Sequence, residues 1–307
     1  MEIELGVNVG VTLGFLLLGI VFCQSVIQLV TVAGQSRHNQ AQQRLDRQRL
    51  EGMIELAKAQ LVQVESARNL WNGYRKFVVT EKEEVCRDVF AFSLKPHDGR
   101  SLPAFKTGQY LTFQLNIPGQ DRPVIRCYSL SSSPSDLDSY RVTIKREPAP
   151  AAHPEWAPGL ASGFFADHVK DGDILDAKAP AGNFVLDLEK NKPIVLLAGG
   201  VGVTPLLSMA KAVAARKSNR EIHFFFGCRS SDEHIHADEL DALDGIGGIR
   251  VHICYSRPGP EDKEGKNFHY KGRVTIDLIK QVLSSRNYEF YMCGNGAFMA
   301  TLHEGLE

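Results

Sequence analysis

The sequence predicts two domains of different class, an α+β fold followed by an α/β fold. The first is a small antiparallel β-barrel over residues 71–190, the second a parallel α/β domain over residues 191–307. Three observations carry this. From Tyr74 to Leu115, apolar and polar residues alternate in short runs broken by turn signals, as in a small antiparallel barrel. From Lys192 onward, apolar strand-like runs alternate with helical runs, which implies a parallel sheet with helices on its faces. Ahead of both, residues 1–36 form an apolar span and residues 37–70 a proline-free helical stalk. A length of 307 residues suits about two domains, and 43% apolar residues supply ample core. A formal net charge of −1 gives no support for a nucleic-acid-binding surface. The six cysteines are scattered with no C-x-x-C pair, which suits a reducing compartment and offers neither an iron–sulfur nor a zinc site.

The N-terminal segment has no charged residue from Leu5 to Ser36. Helices of about 20 apolar residues cross a bilayer core, so Val11 to Val30 reads as a single transmembrane helix. A cleaved signal peptide ending near Thr31-Val32-Ala33 is the rival, but the first residues are acidic (Glu2, Glu4) and the apolar run is long. Arg37, Arg44, Arg47 and Arg49 follow, which places the C-terminal side in the cytoplasm. In the stalk, Leu50, Ile54, Ala57, Leu61 and Val64 recur at alternating steps of four and three. That seam is too short for a coiled-coil assignment; a stalk packed on the following domain is favoured over a dimer seam, and both stay open.

In the barrel region, Phe77, Val79, Val89, Phe90, Phe92 and Leu94 mark the first strands, and Phe105 to Phe113 reads as turn then strand. Pro123 to Tyr128 is an extended run that ends in Ser129 and further small hydroxyl residues. Residues two apart on a strand face the same side, so Arg126 and Tyr128 present a cation and an aromatic plane together. A guanidinium matches phosphate and a tyrosine ring stacks on a flat heterocycle; a flavin dinucleotide has both groups. Tyr140 to Lys145 adds a strand, and Pro148 to Pro158 is a loop. Gly159-Leu160-Ala161-Ser162 then opens a helix with Ser162 as its expected N-cap, and helix-start N–H groups attract phosphate.

In the second domain the expected strands are Ile194–Ala198, Ile222–Gly227, Val251–Tyr255 and Phe290–Cys293, with helices over Pro205–Ala215, Asp238–Leu243 and Thr275–Leu283. Ligands bind such sheets at the carboxyl ends of the strands. There lie Gly199-Gly200-Val201-Gly202-Val203-Thr204-Pro205, Gly227-Cys228-Arg229, Ser256-Arg257 and Cys293-Gly294. A glycine turn between a buried strand and a helix lets backbone approach a diphosphate. His234 and His236 have no third ligand near in sequence, and a metal is discounted there.

Taken in order, Arg126-x-Tyr128-Ser129, the Gly199–Pro205 turn and Cys293-Gly294-Asn295-Gly296 resemble the ferredoxin–NADP reductase superfamily. The resemblance runs from about Trp71 to the end and is strongest to the reductase half of flavohaemoglobins and of multicomponent oxygenases. It implies an FAD-binding barrel followed by an NAD(P)-binding domain, with hydride passing from the nicotinamide to the flavin near Ser129. It implies Arg126, Tyr128, Ser129, Gly159 and Ser162 as flavin contacts. For the nucleotide it implies Gly199, Gly200, Gly202, Thr204, Pro205 and Gly294, with Cys293 beside the nicotinamide. Arg229, Ser256 and Arg257 resemble the grip on a 2′-phosphate, and charge complementarity favours NADPH over NADH. Electrons then pass singly to an iron–sulfur, haem or quinone acceptor. A reading from another class is a membrane-tethered redox sensor or scaffold with little turnover. The chain departs from the pattern in having no globin domain and no cysteine cluster ahead of the barrel. Relatives continue beyond the position of Glu307, so a truncated chain is expected, its acceptor in the missing part.

Overall fold

A computed structural model describes residues 70–306 except Ala151, together with Arg47, Leu50 and Met53, which are helical. The expected membrane span and most of the stalk lie outside the described residues. Among those described, no helix is long and apolar enough to cross a membrane. The described residues from Leu70 onward form one compact unit.

The first half is a six-stranded antiparallel sheet in the order β4-β3-β6-β1-β2-β5. Its strands are β1 (Arg75–Cys86), β2 (Val89–Pro96), β3 (Tyr110–Leu115), β4 (Val124–Ser129), β5 (Tyr140–Lys145) and β6 (Ile174–Ala177). β1 and β2 are joined by Arg87 and Asp88 alone, and Asp88 takes φ +58°. Two-residue hairpin loops need that left-handed backbone, which a short polar side chain tolerates. The sheet curls until a bridge between Leu130 and Val142 ties the end of β4 to β5. Buried residues alternate along β3, and Phe77, Phe92, Phe113 and Tyr140 fill the interior. Between β5 and β6, α1 (Leu160–Asp167) plugs the barrel with Phe165, whose ring meets Phe92 and Phe113 edge-on at 5.2 and 5.3 Å.

The second half is a five-stranded parallel sheet, β10-β9-β8-β7-β11. Its order along the chain is β7 (Ile194–Gly199), α2 (Val203–Ala215), β8 (Ile222–Cys228), α3 (Ala237–Leu243), β9 (Ile249–Tyr255), β10 (Tyr270–Lys271), α4 (Ile276–Val282), β11 (Glu289–Cys293) and α5 (Gly296–Leu306). Ile194 to Ala198 is buried without a break, as expected for a strand covered on both faces. Leu196 and Phe224 point into the core with α2 and α3, whereas Val195, Leu197 and Phe225 pack with α4 and α5. The sequence placed the helix starts slightly wrong. α2 begins at Val203, so Thr204 and Pro205 sit inside its first turn, where a proline removes no intrahelical hydrogen bond. Thr275 is the cap of α4, accepting from Leu278 N at 3.2 Å.

The two halves share core. Val89 and Leu186 pack into the hydrophobic cluster built on β7, β8 and α2. Arg87 reaches Asp232 at 2.6 Å, and β5 packs on the Gly200–Gly202 turn.

Candidate functional site

On the barrel, β4 carries the first three candidates. Arg126 is exposed; its Nη1 donates to the Ile125 carbonyl at 2.7 Å, and among the described residues it has no ion-pair partner. Tyr128 is half-buried, its ring edge-on to Phe165 at 5.3 Å and tilted to Phe113 at 6.0 Å. Burial pushes its phenol up to about 12, so it stays neutral. Ser129 ends the strand opposite Tyr110. Because Phe165 belongs to α1, the same contact that orients Tyr128 also ties this helix to β4. The structure therefore places Arg126, Tyr128 and Ser129 on one strand and links α1, which starts after Gly159, to that strand through Phe165.

Ser162 is not the helix cap. Gly159 occupies that position with no side-chain cap, and Ser162 lies one turn in. Its Oγ donates to the Gly159 carbonyl at 3.2 Å and accepts from Glu147 N at 3.1 Å, stitching the loop to the helix. The first-turn N–H groups of α1 are thus left without a side-chain cap, a ready site for an anion. An exposed guanidinium with no ion-pair partner among the described residues, an oriented ring on the same strand and an uncapped helix start are groups that fit a flavin dinucleotide.

On the other half, all the candidate positions fall at the carboxyl ends of the parallel strands. Gly199 closes β7, and Gly200–Gly202 make one 3₁₀ turn into α2. The glycines do different work. Gly200 takes φ +54° and faces open space, so its backbone is accessible to a ligand. A Cβ at Gly202 would overlap the Cys293 carbonyl, so this glycine brings α2 against the end of β11. Gly199 and Gly294 both lie against the ring of Phe298. Thr204 Oγ1 donates to the Val201 carbonyl at 3.1 Å and holds the turn, and Pro205 is buried. Cys293 ends β11 opposite Ala198, half-buried, its thiol pushed up by burial. This cradle fits a dinucleotide.

At the next strand ends, Ser256 N and Oγ donate to the Cys228 carbonyl at 3.0 and 3.2 Å, and Arg257 N donates to the Arg229 carbonyl at 2.8 Å. The two turns are zipped together, yet their arginines differ. Arg229 pairs with Glu233 at 3.1 Å, whereas Arg257 is exposed with no ion-pair partner among the described residues.

His234 and His236 are both buried. His234 Nδ1 meets the Tyr255 hydroxyl at 2.8 Å and His236 Nε2 meets Thr143 Oγ1 at 2.9 Å, so each has a structural partner. Asp232 and Glu233 lie in a separate 3₁₀ turn rather than at the start of α3. Among the described residues no group of three or more His, Cys, Asp or Glu is arranged to hold a metal. Sequence reasoning passed over Ser131, Arg141, Thr143, Lys211 and Glu239, which meet across the seam between the halves. No local pattern marks them, since Arg141 and Glu239 are 98 positions apart.

Residues 76–186 match the oxidoreductase FAD-binding domain family, and residues 196–304 match the oxidoreductase NAD-binding domain family. The chain is 36% identical over 77% of its length to a flavohemoprotein of Bacillus cereus and spans 58% of that relative. Among solved structures, it resembles the flavohem-like FAD/NAD-binding domain of nitric oxide dioxygenase from Vibrio cholerae. That match has a TM-score of 0.67 and 30% identity, and covers 76% of this chain and 93% of that one. It also resembles phthalate dioxygenase reductase, described as a modular structure for electron transfer from pyridine nucleotides to [2Fe–2S]. There the TM-score is 0.58 and the identity 25%, over 76% of this chain and 64% of that one. The chain therefore belongs to the ferredoxin reductase superfamily, as a flavohaemoglobin-like NAD(P)H–FAD oxidoreductase module made of an FAD-binding and an NAD-binding domain.

Proposed function

We propose that this module is tethered to a membrane by residues 1–36 and a stalk of residues 37–70, with its reductase on the cytoplasmic side. In this reading residues 71–190 bind FAD and residues 191–307 bind NADPH in preference to NADH. Bound FAD supplies hydride acceptance and the release of electrons one at a time. The protein supplies position and charge. Arg126 and the first-turn N–H groups that follow Gly159, up to Ser162, hold the diphosphate, Tyr128 stacks on the ring system, and Ser129 donates a hydrogen bond at its reactive edge. Gly200 and the start of α2 take the nucleotide diphosphate, Arg257 meets the 2′-phosphate with Ser256, and Cys293 lies beside the nicotinamide. The partner is a haem or iron–sulfur protein or domain, or a quinone. The relation to phthalate dioxygenase reductase supports an iron–sulfur acceptor, and the flavohemoprotein relation supports haem.

The observation that carries the flavin assignment is the exposed Arg126, without an ion-pair partner among the described residues, on the strand whose Tyr128 packs on α1. Purified protein should be yellow, release FAD on denaturation and reduce an artificial acceptor with NADPH. Arg126→Ala should weaken FAD binding by about 1.5–3 kcal/mol, the worth of a charge-assisted contact, without loss of fold. Colourless protein that takes up no added FAD would refute the reading. FAD-loaded protein without turnover would favour a sensor or scaffold.

A further inference from the structure

A ring of hydrogen bonds closes across the seam between the two halves. Arg141 on β5 sends Nη2 to Glu239 on α3, at 2.8 Å to one carboxylate oxygen and 2.9 Å to the other. The same guanidinium reaches back to Ser131, Nε to Oγ and Nη2 to the carbonyl, both at 3.3 Å. Ser131 Oγ lies 3.0 Å from Thr143 Oγ1, and Thr143 Oγ1 lies 2.9 Å from His236 Nε2. His236 Nδ1 returns to Glu239 at 2.7 Å, and Lys211 on α2 also pairs with that carboxylate.

The two ionic ends set the direction of every bond. A carboxylate only accepts, so His236 donates from Nδ1 and its Nε2 accepts from the Thr143 hydroxyl. Thr143 then accepts from Ser131, and Ser131 accepts from Arg141 Nε. Ser131, Thr143 and His236 are at most 5% exposed. A buried polar network satisfied throughout is rigid, and deleting one member leaves its neighbours unpaired. His236 is also held at φ +57°, an uncommon backbone for a residue with a side chain. Both of its ring nitrogens are engaged.

The ring's position gives it a task beyond stability. Ser131 lies two residues past Ser129, and β5, which supplies Arg141 and Thr143, packs on the Gly200–Gly202 turn. We propose that Glu239 is a positioning residue for hydride transfer, holding the strand end that carries Ser129 in register with the nucleotide-binding glycine turn. This rests on the reductase reading above.

The test uses the full chain with Glu239→Ala and, as a near-isosteric second cut in the same ring, Thr143→Val. FAD and NADPH affinities should stay close to wild type. The rate constant for flavin reduction at saturating NADPH should fall roughly ten- to a hundredfold, the effect of misplacing reacting groups by about 1 Å. The deuterium isotope effect from labelled nicotinamide should change with it. In FAD-free protein, hydrogen exchange should quicken in residues 126–133 and 199–204 together. A lowered melting temperature with an unchanged reduction rate and isotope effect would overturn the proposal, as would faster exchange confined to residues 236–243. Wild type that takes up no FAD would instead overturn the flavoprotein reading, and this proposal with it.

Discussion

Two arginines at adjacent strand ends show how much a single residue's meaning depends on its neighbours. Arg229 and Arg257 are equivalent as letters, each just past a strand of the parallel sheet. Glu233, four residues beyond Arg229, answers its charge, while Arg257 stays exposed with no ion-pair partner among the described residues. In the function proposed above, this guanidinium, held by its backbone to the neighbouring turn, meets a phosphate. A 2′-phosphate distinguishes NADPH from NADH, so Arg257→Ala should lower kcat/KM for NADPH and leave NADH use almost unchanged. Charged hydrogen bonds of this kind are worth about 1.5–3 kcal/mol, so the preference should shrink roughly ten- to a hundredfold. Kinetics with both nucleotides check this. Equal loss for both, or a wild type that prefers NADH, would reduce Arg257 to a turn residue.

Among the elements, the glycine turn between β7 and α2 carries the sharpest mechanical demand. Gly202 is pressed against the backbone of Cys293 and Gly294, and a backbone obstacle cannot rotate away as a side chain can. Gly202→Ala must therefore push α2 from β11, costing about 1–3 kcal/mol or more in the manner of overpacking. Gly200→Ala meets open space and is opposed only by its left-handed backbone, at about 1–2 kcal/mol. Urea denaturation of the two variants separates them. A Gly202→Ala protein as stable as wild type would mean that the helix and strand are not in this contact.

The α/β domain also carries a pH dependence. Burial pushes His234, beside the end of β9, down to about 4. Burial and then the neighbouring His223 do the same to His252 on β9. The unfolded chain binds protons on these rings near pH 6.5 and the folded chain only near 4. Their contribution to stability is therefore complete above about pH 6.5 and is lost as pH falls towards 4. The urea midpoint should drop between pH 7 and pH 4.5, and more gently in His234→Gln. A midpoint flat across this range, or an equal slope in the variant, would contradict the assignment.

For the whole molecule, the decisive question is where the reductase works. If residues 1–36 anchor it, the full chain should sediment with membranes, resist an alkaline carbonate wash and stay with the cell on osmotic shock. A mature N-terminus near Gly34, or release by shock, would remove the anchor from the account. The lateral division of labour was legible in the chain because it depends on local pattern. Strand alternation, the doubly buried run from Ile194 to Ala198 and the Gly199–Pro205 turn each lie within about a dozen consecutive residues. The same locality made Arg126, Tyr128 and Ser129 visible together on one strand.

Sequence alone determined the two domain classes, their order, and the strand ends that carry the glycine turns, since periodicity and turn chemistry act over a few neighbouring residues. Tertiary structure alone decided which of these groups are free. It bound Ser162 to its own loop, neutralised Arg229, and turned Gly202 into a packing contact with β11. It also joined Ser131, Arg141, Thr143, His236 and Glu239 into one ring. The reason is that hydrogen bonds and ion pairs form between whatever the fold brings within about 3 Å, irrespective of separation along the chain.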